Sequence, residues 1–160
     1  MLVEAGKLPV QPEADLRVTY HDPCHLGRQG EPYVPWQGKE KKVLGQVVVY
    51  EPRKPRYNGA CGVYNPPRDI LKSIPALELV EMERIREYSW CCGAGAGVKQ
   101  CLDDFAIWTA SERIAEAKSV GADAIITACP WCERNFKDAI AASGDNISVY
   151  DVVELLKRAM

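Results

Sequence analysis

Short apolar runs alternate along this chain with longer stretches whose apolar residues recur every third or fourth position. "LRVTYHDPC", Leu16 to Cys24, reads as a short strand running into a turn at Asp22-Pro23. "PPRDILKSI", Pro66 to Ile74, predicts a helix with proline at its start, and Pro75 ends it. "LELVEME", Leu77 to Glu83, has the alternation of a strand. The clearest helix begins at Asp103: Ile107, Ala110, Ile114 and Ala117 fall at helical spacing, and Gly121 is a natural stop. "DAIITAC", Asp123 to Cys129, is a β-rich apolar run suited to a buried parallel strand. "CPWCERNFKDAIAASG" opens another helix that Gly144 ends, and "ISVYDVVELLKRAM" gives a last strand and helix. Strands alternating with helices predict an α/β domain with a mainly parallel sheet flanked by helices. Ligand sites in such sheets gather at the carboxyl ends of strands. Cys24 and Cys129 stand where predicted strands stop, and Cys91 and Cys92 follow the Leu77–Glu83 strand at a short distance. The pattern thus gathers distant cysteines at the carboxyl ends of the strands, along one edge of the sheet.

One segment breaks the rhythm. Residues 29–60 are rich in proline, tyrosine and glycine, and "GQVVVYEP" reads there as a hairpin strand. Between Gln37 and Asn58, Lys39, Lys41, Lys42, Arg53, Lys54 and Arg56 face only Glu40 and Glu51. The segment is either a solvated insertion or a basic docking surface for an acidic partner or protein tail.

Composition narrows the function. A chain of 160 residues suits one domain with its own core, so residues 1–160 are expected to form a single domain. A net charge of −2 gives no global attraction to nucleic acid or membrane. No apolar run approaches a membrane span, so a partner must supply any anchor. "MLVEAGKLPVQPEAD" lacks the marks of a signal peptide, which places the thiols in a reducing compartment. Seven cysteines there point to metal or redox chemistry rather than to structural bridges.

Cys129 and Cys132 form a CxxC at a helix start, where the helix dipole favours thiolates. Alone, that motif fits a redox dithiol, half a zinc site or two cluster ligands. "SWCCGAGAGV" adds Cys91 and Cys92, and Cys24 completes five candidates. Five thiolates overfill one zinc ion but suit a multi-iron cluster. The glycines after the cysteine pair would let backbone N–H groups approach inorganic sulfide, or simply make a tight turn. "GAGAG" does not match a dinucleotide-binding fingerprint.

"HDPCHLGR", "YNPPRDILKSIPALELVEMER", "WCCGAGAGV" and "GADAIITACPWC" together resemble the CCG domain. That domain occurs in heterodisulfide-reductase-like subunits and in glycolate oxidase iron–sulfur subunits. The resemblance covers roughly Arg17 to Phe136. It implies a noncubane 4Fe–4S cluster held by Cys24, Cys91, Cys92, Cys129 and Cys132. The basic insertion, "ERIREYSWCCGAG" and "FAIWTASER" are similar to one branch, the K subunits of sulfite-reductase-linked membrane complexes and Hdr-like menaquinol oxidoreductases. That likeness implies an oxidoreductase subunit facing the cytoplasm and peripheral to the membrane. It would take electrons from a quinone-interacting membrane cytochrome, through a ferredoxin-type cluster domain, and reduce a disulfide or trisulfide on a small sulfur-carrier protein. No nucleic acid enters this reading. Family subunits usually carry ferredoxin-type motifs that this chain lacks, as a C-terminal piece of a longer subunit would.

The insertion lengthens the spacing from Cys24 to Cys91, and Cys61 lies nearer the usual distance, but the match surrounds Cys24. Cys101 reads as an ordinary thiol at a helix flank. His25 is a candidate proton donor or hydrogen-bond partner to the cluster sulfurs, with a turn-satisfying histidine as the plain alternative; His21 also flanks Cys24. Trp90 and Trp131 are expected to pack and dry the site. Arg28 and Arg68 could orient a carrier's carboxylate, or make ordinary salt bridges. Three classes stay open: iron–sulfur chemistry on sulfur–sulfur bonds, a zinc module for structure or assembly on the same cysteines, and a metal-free dithiol at Cys129 and Cys132. Glycolate or lactate oxidation subunits share the motif, and only the insertion favours the sulfur branch.

Overall fold

The computed structural model describes residues 15–160; the stretch from Met1 to Asp15, on which the expectation about a signal peptide rests, lies mostly outside them. In chain order the strands are β1 (Leu16–Tyr20), β2 (Lys39–Val43), β3 (Val47–Glu51), β4 (Leu77–Leu79), β5 (Ala124–Thr127) and β6 (Ser148–Asp151). The helices are α1 (Asn65–Lys72), α2 (Val98–Cys101), α3 (Asp103–Ser119), α4 (Pro130–Ser143) and α5 (Val152–Arg158). β4, β1, β5 and β6 form one sheet in that order, and every pairing is parallel. β2 and β3 form a separate antiparallel ribbon within the insertion.

Side-chain alternation divides the core between the two faces of the sheet. Val18, Tyr20, Ala124 and Ile126 pack with Leu71 and Ile74 near α1 and with Val152 and Leu155 of α5. Ile125 and Val149 pack on the other face with Ala110, Ile114 and Ala117 of α3 and Phe136 and Ala139 of α4. Both faces are therefore covered, and β5 is buried along its whole length, as an interior parallel strand must be. The α/β expectation holds.

The ends of the elements follow local chemistry. Pro66 and Pro67 sit in the first turn of α1, where a missing N–H leaves no bond unmade. Gly144 closes α4 in the left-handed region with φ of 73°. β4 is shorter than the Leu77–Glu83 run that the alternation predicts. Val80 still donates to the Val18 carbonyl at 2.8 Å, but the pairing with β1 stops there while β1 continues to Tyr20 beside β5, and this edge strand has no other neighbour among the described residues. α2, one turn long, carries no periodic signal of its own. Among the described residues no helix is long and apolar enough to cross a membrane.

Candidate metal centre

The carboxyl ends of three parallel strands deliver the cysteines. Beyond β1 the chain turns at Asp22-Pro23 and presents Cys24. Beyond β4 a long loop returns to the same edge with Cys91 and Cys92. β5 leads directly into α4, whose N-cap is Cys129 and whose first turn holds Cys132. These five residues line one pocket of about 390 Å³, together with His25, Ala94, Gln100, Trp131 and the glycine-rich loop. A single water needs only about 10–15 Å³ of such space, so the pocket has room for a polyatomic group. Among the described residues no Asp, Glu, Lys or Arg lines it.

The floor is drier than the rim. Cys92 and Cys132 are buried, Cys24 and Cys129 are half-buried, and Cys91 is exposed. Ligand atoms of His21, Cys92 and Cys132 all lie within 4.8 Å of one another. His21 is 1% exposed, meets the edge of Phe136 at 4.9 Å between ring centroids, and has an unpartnered Nδ1. Burial holds its pKa below the ordinary histidine value, so the ring is neutral and able to face a metal site.

The thiols share their protons unevenly. Cys132, Cys91 and His21 direct hydrogen bonds to Cys92, which lowers its pKa and makes it the preferred thiolate. Cys91 is pushed up by its hydrogen bond to Cys92 and by burial. Cys132 is pushed up by its bonds to Cys129 and Cys92 and by burial. Cys129 falls to about 6, chiefly through its hydrogen bond with Cys132, aided by the backbone N–H groups of Cys132 and Trp131 at the start of α4. Such a thiol–thiolate set has the donor chemistry of a soft metal or an iron–sulfur cluster. The residues present fit that group.

The scaffold around the cysteine pair is equally specific. Asn135, fully buried on α4, donates to the Cys92 carbonyl at 2.7 Å and to the Ala106 carbonyl at 2.9 Å. It ties the cysteine loop to both α3 and α4. Gly93 has φ of 89°, and a Cβ there would stand 2.7 Å from the Thr109 Cβ. The glycine lets the loop lie directly on α3. Below the turn, Asp22 receives Arg68 Nη1 and Nη2 at 2.7 and 2.8 Å and the Arg86 N–H at 2.7 Å.

Some residues singled out in the sequence stand elsewhere. Arg68 is 2% exposed and engaged with Asp22 and Glu81, so it does not offer itself to a carrier's carboxylate. Arg28 donates to the Glu87 carbonyl. Cys61 is exposed, its N–H bonds Glu31, and it does not line the pocket. Cys101 is exposed at the end of α2. Trp131 lines the mouth, whereas Trp90 lies outside the lining with Arg84 stacked on its ring at 3.8 Å. His25 is exposed at the rim, and His21 is the histidine beneath the thiols. Asn135 carries no motif; its one signal is its position three residues after Cys132, on a helical stripe continued by Phe136 and Ala139.

A fold that brings cysteines from three strand ends to one pocket defines a cysteine-rich metal-site domain. Residues 18–137 match the profile of the CCG family, described as a cysteine-rich domain, and the chain belongs to that family. It is 35% identical over 159 residues to a dihydromethanophenazine:CoB–CoM heterodisulfide reductase component of Methanosarcina acetivorans, covering 99% of this chain and 31% of the relative. It is 36% identical over 146 residues to a component of the fumarate reductase (CoM/CoB) of Methanothermobacter marburgensis, covering 91% and 23%. It is 34% identical over 161 residues to the "Probable iron-sulfur-binding oxidoreductase FadF" of Bacillus subtilis, covering 99% and 18%. The chain thus spans a third or less of the length of these curated relatives, which are oxidoreductases or their components by name.

Proposed function

We propose that this chain is the site-bearing domain of a heterodisulfide-reductase-like iron–sulfur oxidoreductase subunit that reduces a sulfur–sulfur bond. The observation that carries the reading is the convergence of Cys24, Cys91, Cys92, Cys129 and Cys132 on one pocket. These residues would hold a noncubane 4Fe–4S cluster, which would supply electrons singly to a substrate sulfur at the pocket mouth. The donor set and the relatives' names support an iron–sulfur group over zinc.

The chain's own residues have separate tasks. Ala94 and Trp131 keep the lining apolar and exclude water from the thiolates. Asn135 and Gly93 fix the loop that bears Cys91 and Cys92. His25 stands at the rim, where it can pass a proton to a departing thiolate. Breaking one disulfide takes up two electrons and two protons and yields two thiols.

The substrate we favour is a disulfide or trisulfide borne on a small sulfur-carrier protein of dissimilatory sulfur metabolism. Among the described residues no Lys or Arg lines the pocket to bind a small anionic thiol, while an apolar mouth admits a sulfur presented by a peptide. Electrons would come from a quinol-oxidising membrane cytochrome through a ferredoxin-type cluster domain, with this domain at the cytoplasmic face and peripheral to the membrane. The test is anaerobic turnover of cluster-loaded protein, with reduced viologen as donor and a peptide disulfide as probe. Thiol release in step with dye oxidation is expected, and His25→Ala should slow it without changing the cluster's spectrum. Thiol release from metal-free protein at the same rate would instead assign the chemistry to the Cys129–Cys132 dithiol.

A further inference from the structure

We propose that the ribbon of β2 and β3 is a docking edge to which an extended acidic segment of a partner protein adds as a third strand. Such docking does not depend on the chemistry at the cysteines. Nine of the ten strand residues are exposed, and Tyr50 alone is half-buried. None of them belongs to either face of the core. Among the described residues, nothing outside the ribbon hydrogen-bonds to the backbone of either strand. Leu44 at the tip is 91% exposed, Val47 54%, and Val43, Val48 and Val49 stand out as well. A two-stranded ribbon is marginal alone in water, and open edges beside a valine run are a template for pairing.

Side-chain contacts within the insertion nevertheless hold the base of the ribbon. The Trp36 ring meets Tyr50 edge-on at 5.5 Å, and its Nε1 donates to the Pro52 carbonyl at 2.8 Å. Lys54 Nζ lies 3.8 Å above the Tyr50 ring. Tyr33 stacks on Tyr57 at 5.8 Å, and beside them runs a groove of about 290 Å³ lined by Tyr33, Val34, Trp36, Lys54, Pro55 and Tyr57. That groove fits an apolar anchor side chain; Lys54 on its wall is paired with Glu40 at 3.5 Å, so the partner's carboxylates meet Lys39 and Lys42, which have no carboxylate partner among the described residues.

Charge selects the partner. Residues 37–58 hold six cations against two carboxylates, while the whole chain has a net charge of −2. The ribbon is therefore a basic projection on an acidic body, complementary to an acidic strand. An anionic membrane offers the same charge. Insertion there, however, would bury the open-edge N–H and C=O groups without partners, whereas strand addition pairs them.

The experiment measures binding of a fluorescein-labelled peptide of alternating glutamate and valine to the whole protein, by anisotropy and amide hydrogen exchange. Expected are salt-sensitive binding, slowed exchange confined to residues 39–51, and affinity at least about tenfold weaker in the Lys39→Glu/Lys42→Glu variant. Unchanged amide protection across the β2–β3 pairing before peptide is added shows that the variant ribbon still forms, and Val48→Thr provides a second reading through the apolar contact. Equal binding of a lysine–valine peptide, absence of protection in the ribbon, or binding only to phosphatidylglycerol vesicles would overturn the proposal.

Discussion

At the scale of single residues, Cys92 and His21 are the two side chains on which the site turns. Cys92 lies at the floor and accepts hydrogen bonds from Cys132, Cys91 and His21. Cys92→Ser removes the preferred thiolate, so the variant should lose its iron after anaerobic reconstitution. Cys61→Ser and Cys101→Ser, which change exposed thiols outside the pocket, should retain it. Iron retained by Cys92→Ser would remove this residue from the ligand set. His21 acts through the thiols, and partners of this kind typically change metal affinity or activity by about 10–100-fold. His21→Phe keeps the ring contact with Phe136 but withdraws the N–H. A lowered reduction potential and altered EPR g values are therefore expected; a potential equal to that of the wild type would make His21 a packing residue only.

At the scale of elements, the cysteine loop and the turn after β1 are held by contacts that local sequence does not reveal. Gly93→Ala would place a methyl group against Thr109 and the Ala106 carbonyl at a positive φ, at a cost of about 1–3 kcal/mol. Gly95 has open space, so Gly95→Ala should leave the urea midpoint nearly unchanged. Equal midpoints for the two variants would contradict the close seating of the loop on α3. Arg68→Met strips Asp22 of a buried partner and should cost about 3–5 kcal/mol in urea unfolding. Arg68 also holds Glu81 through Nε and Nη2 at 2.7 and 3.0 Å, so the same substitution removes a second, partly buried bidentate pair. The sequence makes β5 and α4 plain because "DAIITAC" and the proline-started CxxC are local signals. It shows the destination of the cysteines because strand ends in a parallel sheet share an edge. It does not show that His21, rather than His25, lies beneath them. That depends on the pairing of Tyr20 with Ile126, which sends the next residue inward toward α3 and α4. Nor does it show that Arg68 is consumed by Asp22, a partner forty-six positions away.

At the scale of the whole molecule, two parts of different character share one chain. The sheet and its helices form the core that positions the pocket, whereas the ribbon of the insertion stands outside that core. Replacing residues 39–51 with a short glycine–serine link should therefore leave the thermal midpoint of the body close to that of the parent protein. A large drop would mean that the ribbon is structural. The insertion was legible as a break in composition, and one of its strands as a valine run, but the separation of the ribbon from the core was not. What the pocket holds decides the function of the whole. The most direct measurement is iron, acid-labile sulfide and zinc per chain in protein purified without oxygen, with an EPR spectrum of the oxidised sample. The account predicts about four irons and four sulfides per chain with little zinc. Zinc near one per chain and no iron after anaerobic reconstitution would contradict it and leave the cysteines a structural or assembly role.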